Sequence, residues 1–210
     1  MPQAQDSNPE LAPRAAELIA AGRELYARGM VPATSGNFSA RLSNGDILIT
    51  VSGAHKGKLD ASQLMLIDAG GRSLDGRRSS AETALHVQIY RRFPDSLAVL
   101  HPHPASATLL SRLDPGPCVL KGYELLKALP GIDTHDCEIV IPNFPNDQDI
   151  ARLAQQVDAY MASHDPVVGY LISGHGFYTW GASVGDALRH VEALEFLFEC
   201  ELRLRGVARP

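Results

Sequence analysis

His101 and His103 stand one residue apart in the stretch Leu97-Ala98-Val99-Leu100-His101-Pro102-His103-Pro104. Side chains at i and i+2 of an extended segment point to the same side, so both imidazoles can aim at one point. Pro102 and Pro104 fix φ and disfavour helix, which suits a strand end whose backbone has stopped pairing. Neutral imidazoles are ligands for a zinc-type ion, and two on one face make half of such a site. A His-X-His pair also recurs by chance in surface turns, so this reading needs a further ligand. His175 supplies one. The apolar run Val167-Val168-Gly169-Tyr170-Leu171-Ile172 reads as a buried strand, and His175 follows it between Gly174 and Gly176, where the backbone can turn sharply and approach another element. Three histidines at the ends of apolar strands predict a three-histidine metal site.

Two glycine-rich segments offer a second kind of chemistry. Ser35-Gly36-Asn37 and Ser52-Gly53-Ala54-His55-Lys56-Gly57-Lys58 flank a hairpin whose turn is Asn44-Gly45. Together they bring hydroxyls, backbone N–H groups and a cation near one end of that hairpin, the groups that hold a phosphate. Neither matches a P-loop or a dinucleotide fingerprint, and each alone reads as a turn.

Glu82 has two readings of similar weight. Ser79 with Glu82 three residues on fits a capping box, opening a helix from about Arg77 that carries Leu85, Ile89 and Tyr90. A carboxylate at a helix start can equally face the histidines as a ligand or proton carrier. His86 lies one turn further on the same face and reads as structural. Glu124, in the short helix expected over Gly122-Tyr123-Glu124-Leu125-Leu126-Lys127-Ala128-Leu129, reads as an exposed helix glutamate.

The elements that must position these residues follow from periodicity. Helices are predicted over residues 10–28, 105–113, 147–163 and 183–205, the last capped by Ser183 with Asp186 at the third position. Strands are predicted at Asp46–Val51, Leu64–Asp68, Cys137–Ile141 and Phe177–Gly181, beside the two histidine-bearing runs. Helices flanking short, largely antiparallel strands give an α/β fold: one layered domain over residues 10–207 with a central, mostly antiparallel sheet, after a flexible N-terminus at residues 1–9. A length of 210 residues and an apolar content of 45% suit one domain with a substantial core.

The formal charge of −5 comes without a basic block, which argues against nucleic acid or an anionic membrane as partner. Cys118, Cys137 and Cys200 are odd in number and scattered, and read as thiols in a reducing compartment. No leader pattern opens the sequence and no long apolar run follows, so a cytoplasmic location is expected.

Over nearly its whole length the chain resembles the class II aldolase/adducin family, on Ser35-Gly36-Asn37, Ser52-Gly53, Ser80-Ala81-Glu82, His101-Pro102-His103 and Gly174-His175-Gly176. Within the family, Gly122-Tyr123-Glu124-Leu125-Leu126-Lys127, the segment from Ile141 to Ile150, and Gly176-Phe177-Tyr178-Thr179-Trp180-Gly181 are similar to the sugar-phosphate dehydratases. The resemblance implies one zinc ion per subunit held by His101, His103 and His175. It places Glu82 where aldolase relatives carry an acidic ligand or proton carrier, and Glu124 where the dehydratases carry a general acid/base. Asn37, Gly53 and Ser80 fall where aldolase relatives bind substrate phosphate; Ser52 and Lys56 join them on local chemistry. A small sugar-phosphate substrate, loss of water from it, and a homotetramer with sites near subunit interfaces are what the resemblance implies. The alternatives are an aldolase or epimerase on another ketose phosphate and, more weakly, an adducin-like interaction module.

Overall fold

The computed structural model describes residues 8–164 and 167–206. Most of the expected flexible N-terminus, and residue 207 at the expected domain end, lie outside that range. Leu18, Ala21 and Leu25 recur at helical spacing and form the buried side of α1 (Leu11–Ala27). The Asn44-Gly45 turn joins β1 (Asn37–Arg41) to β2 (Ile47–Thr50), and β3 (Leu64–Ile67) follows two short 3-10 turns. Next come α2 (Thr83–Arg92), β4 (Ala98–His101), α3 (Ala105–Leu113), β5 (Cys118–Lys121), a 3-10 segment over Glu124–Ala128, β6 (Glu138–Ile141) and β7 (Asn143–Phe144). The described chain ends with α4 (Ile150–Ser163), β8 (Gly169–Ile172), β9 (Gly176–Gly181) and α5 (Val184–Leu204).

Seven strands form one sheet in the order β3-β2-β1-β4-β9-β8-β7. Its pairs are antiparallel except β7–β8. β5 and β6 pair apart from it. Phe38, Leu48, Leu100 and Phe177 face a core completed by Leu18 and Leu25 of α1, Leu110 of α3, and Leu194 and Phe198 of α5. Ile49, Val99, Tyr170 and Tyr178 face a second core with Leu85 and Ile89 of α2 and Val157 of α4. Each such side chain, fully buried, contributes about 1.5–3 kcal/mol, so the helices on both faces hold the sheet rigid beneath the site. The expected α/β architecture, helices flanking a mostly antiparallel sheet, is the one observed.

Strand alternation then aims the polar residues. His101 shares its side of β4 with Val99, the α2 face, and lies directly across from Asn37 of β1. Asn37 and Ser39 alternate with Phe38 and Ala40, which belong to the other core. The start of α2 therefore sits over a polar end of an otherwise apolar sheet.

Two local expectations differ from the structure. α2 begins at Thr83 and not near Arg77; Ser79 instead makes an isolated bridge with Val51, tying the preceding loop to β2. The segment after Gly122 coils as a 3-10 turn, and the four-residue β5 before it has no counterpart in the sequence reading.

Candidate active site

His101, His103, His175 and Glu82 converge, each offering one ligand atom, and these atoms all lie within 4.8 Å of one another. His101 Nε2 is 2.8 Å from His103 Nε2, 3.4 Å from His175 Nε2 and 3.3 Å from Glu82 Oε2; Glu82 Oε1 is 3.4 Å from His175 Nε2. β4 delivers His101 at its last residue, and the extended chain beyond it delivers His103, whose backbone N–H donates to the Met30 carbonyl. The turn between β8 and β9 delivers His175. There Gly174 takes φ 66°, and Gly176 lies so close to Pro102 and His103 that no side chain would fit.

His101 Nδ1 donates to the Phe177 carbonyl at 2.8 Å, which leaves Nε2 as the lone pair turned to the other histidines. The Tyr178 ring stacks on His101 with centroids 3.9 Å apart and fixes its plane. This donor set fits a divalent ion. Three imidazoles and a carboxylate, with one imidazole tautomer fixed by a backbone carbonyl, are the ligands and outer contacts of a zinc-type centre. Burial pushes His103 down to about 2 and His175 to about 4, so both rings are neutral and able to ligate at neutral pH.

Glu82 sits at the N-cap position of α2 but makes no side-chain cap bond, so the capping-box reading is not the one realised. Its Oε2 accepts from Asn37 Nδ2 at 2.6 Å. Burial alone would raise its pKa; His101, His175 and the Asn37 bond outweigh that and hold the carboxyl well below its usual range. His86, read as structural, is fully buried and bonds both Asn37 and Ser39.

Beside the group lies a cavity of about 270 Å³, lined by Asn37, Ser52, Gly53, Lys56, Ser80, Glu82 and His175 among others. All five residues expected to bind phosphate thus meet in one place. The Lys56 ammonium donates to the carbonyls of Thr34 (2.9 Å) and Ala54 (2.6 Å), and burial lowers its pKa to about 8. Asn146 and Gln148, from the loop ahead of α4, also line the cavity. The sequence singles out the segment from Ile141 to Ile150 as a whole but gives neither residue a role; folding that loop over the cavity does.

Glu124 is not among the residues of this cavity or of the histidine group. It is exposed at the start of the 3-10 segment, paired with Lys127 at 2.7 Å and facing His135 at 3.5 Å. The Lys127 bond holds its carboxyl below the ordinary value.

The family model for the class II aldolase and adducin N-terminal domain matches residues 16–202. A methylthioribulose-1-phosphate dehydratase of Methylococcus capsulatus is 64% identical over 200 residues, 95% of this chain and 98% of that protein. The protein of the same name from Pseudomonas syringae pv. syringae is 54% identical over 193 residues, 91% and 95% of the two chains. Among solved structures, YgbL from Klebsiella pneumoniae superposes with a TM-score of 0.79 at 25% identity, covering 94% of this chain and 92% of its own. The L-fuculose-1-phosphate aldolase of Thermus thermophilus gives a TM-score of 0.74 at 26% identity, covering 95% and 99%.

Proposed function

The chain belongs to the class II aldolase and adducin N-terminal domain family, and from that premise we propose that it is a methylthioribulose-1-phosphate dehydratase. It is a hydro-lyase that converts 5-methylthioribulose 1-phosphate to 2,3-diketo-5-methylthiopentyl 1-phosphate and water, a step of methionine salvage. The observation that carries this reading is the identity of 54–64% to dehydratases over more than nine-tenths of the chain. The Glu82–His101–His103–His175 group beside a cavity lined by Ser52, Gly53, Lys56 and Ser80 supports it.

The three histidines would hold the ion, zinc on the chemistry of the donors, with Glu82 as fourth ligand or proton carrier. Such an ion supplies Lewis acidity at the C2 carbonyl, which makes the neighbouring C3 proton easier to remove. The residues do the rest. Ser80 and Ser52 hydroxyls, the Gly53 N–H and the Lys56 ammonium hold the phosphate and fix the C2–C4 segment against the histidine group. Asn37, with one amide hydrogen on Glu82, has a second to offer. Glu124 takes the C3 proton and returns it to the departing C4 hydroxyl, so water leaves and the enol tautomerises to the diketone. Because Glu124 is exposed and outside the cavity of its own chain, this role belongs to Glu124 of a second copy. A homotetramer with shared sites, in the cytoplasm, is the assembly this reading takes. Among the described residues no helix is long and apolar enough to cross a membrane.

An aldolase breaking C3–C4 would use the same histidines, phosphate cradle and Glu82, and the fold is shared with a fuculose-phosphate aldolase. Product analysis separates the two. Purified zinc-loaded protein given 5-methylthioribulose 1-phosphate, followed by NMR in deuterated water, yields the diketone phosphate if it is the dehydratase. Release of a three-carbon ketose phosphate and an aldehyde would replace this reading with the aldolase.

A further inference from the structure

A row of side chains on α2 meshes with a row on β1 into one buried hydrogen-bond chain that ends on Glu82. Glu82, His86 and Tyr90 are spaced i, i+4, i+8, and Asn37 and Ser39 are spaced i, i+2. Four helical residues rise ~6.0 Å and two strand residues ~6.6 Å, so the two rows stay in step. Asn37 Nδ2 donates to Glu82 Oε2 at 2.6 Å, and Asn37 Oδ1 bonds His86 Nε2. His86 Nδ1 lies 2.7 Å from Ser39 Oγ, which lies 2.8 Å from the Tyr90 hydroxyl. All five residues are buried.

Elementary donor–acceptor rules give this chain a direction. A carboxylate only accepts, so Asn37 must turn its amino group to Glu82 and its oxygen to His86. That oxygen requires a donor, which puts the His86 proton on Nε2. Nδ1 is then a lone pair that takes the Ser39 hydroxyl, and the Ser39 oxygen takes the Tyr90 hydroxyl. Every donor points toward Glu82. Burial, with His101 nearby, pushes His86 down to about 3, in keeping with a ring that has one donor and one acceptor.

We propose that His86 is a positioning residue which, through Asn37, fixes the Glu82 carboxylate against the histidine group, with the Ser39 hydroxyl, backed by Tyr90, satisfying the His86 Nδ1 lone pair. The proposal rests on reading Glu82 and the three histidines as a metal site, and not on the identity of the substrate. Partners that orient a ligand in this way set its affinity as well as its direction, and their loss costs roughly 10–100-fold in metal affinity.

The test is a Co²⁺ titration of metal-free protein, following the visible absorption of the bound ion, for wild type, His86→Phe, Glu82→Gln and the double variant. His86→Phe should weaken Co²⁺ binding by about 10–100-fold and change the absorption bands in the manner of Glu82→Gln. The double variant should bind no more weakly than Glu82→Gln alone, because the relay acts only through that carboxylate. Tyr90→Phe, which keeps the ring, should move affinity the same way by a smaller factor. If His86→Phe does not fold, Tyr90→Phe and Ser39→Ala take its place in the cycle. Wild-type affinity and bands in the folded variant would overturn the relay, and so would losses that multiply in the double variant. Failure of the wild type itself to take up Co²⁺ would remove the metal reading and the relay with it.

Discussion

The Nε2 atoms of His101 and His103 lie 2.8 Å apart, and the only N–H of a neutral His101 is committed to the Phe177 carbonyl. A neutral His103 can donate its Nε2–H to the His101 lone pair, whereas with Glu82 and His175 beside them a divalent ion satisfies all four groups at once. Chelation should therefore abolish turnover and lower the melting temperature, and Zn²⁺ should restore both. His101→Ala or His175→Ala should lose the bound metal and the chelator-dependent part of the melting temperature while still folding, since His101 is the last residue of its strand and His175 lies in a turn. Metal stoichiometry and melting curves with and without EDTA check this; full stoichiometry in either variant would refute the three-histidine assignment.

Lys56 predicts two pH effects of opposite sign. Burial lowers its pKa from 10.5 to about 8, so the cation available to a phosphate is present below that pH and lost above it. kcat/KM, which reports the free enzyme, should fall as pH rises through about 8, and Lys56→Arg should extend the active range upward. Stability should move the other way. Between about 8 and 10.5 the unfolded lysine holds a proton that the folded one has released, so stability rises with pH by at most about 1.4 kcal/mol per unit. Lys56→Met should flatten both slopes. A wild-type kcat/KM profile level to pH ~9.5, well above the shifted lysine, would take Lys56 out of the phosphate site.

What the sequence shows of this site is set by how local its signals are. The His-Pro-His strand end, the glycine clasp of His175 and the two glycine-rich segments are each decided within a few residues, and the fold gathers them around one cavity and one cluster of ligand atoms. Glu82 stands balanced between cap and site because the capping pattern is local, whereas its attraction to histidines on two distant strands is not. The same holds for Asn37 and His86: the i, i+2 row on β1 and the i, i+4 row on α2 are both visible in the sequence, but that they mesh is a tertiary fact. β5 escapes a sequence reading because four residues after Asp114-Pro115-Gly116-Pro117 carry too short a period to register.

Gly176 tests how tightly the clasp holds the ligands. A Cβ there would run into the Pro102 carbonyl and the His103 ring, both on the segment that carries two of the three imidazoles. Gly176→Ala should thus destabilise the fold by about 1–3 kcal/mol, in the range of overpacking, and also weaken metal binding. Denaturant unfolding of the metal-free and zinc-loaded variant separates the two effects. A variant destabilised equally in both forms would show that the clasp serves the fold alone.

Glu124 makes the sharpest demand on the assembly. On its own chain it is exposed and paired with Lys127, outside the cavity, so a catalytic role requires a second copy. Glu124→Gln should keep its metal and its melting temperature while turnover drops roughly 100-fold or more, the loss expected for a general acid/base. His101→Ala should be inactive for the opposite reason, an intact Glu124 beside a damaged histidine group. Mixed in one oligomer, the two variants complement: sites that pair the good histidines of one chain with the good Glu124 of another arise in about a quarter of random combinations. Co-expressing the two chains with different tags and assaying the purified hybrids reads this directly. Hybrids no more active than their parents would place Glu124 outside a shared site and move the proton transfer to Glu82, whose carboxylate already stands 3.3 Å from His101.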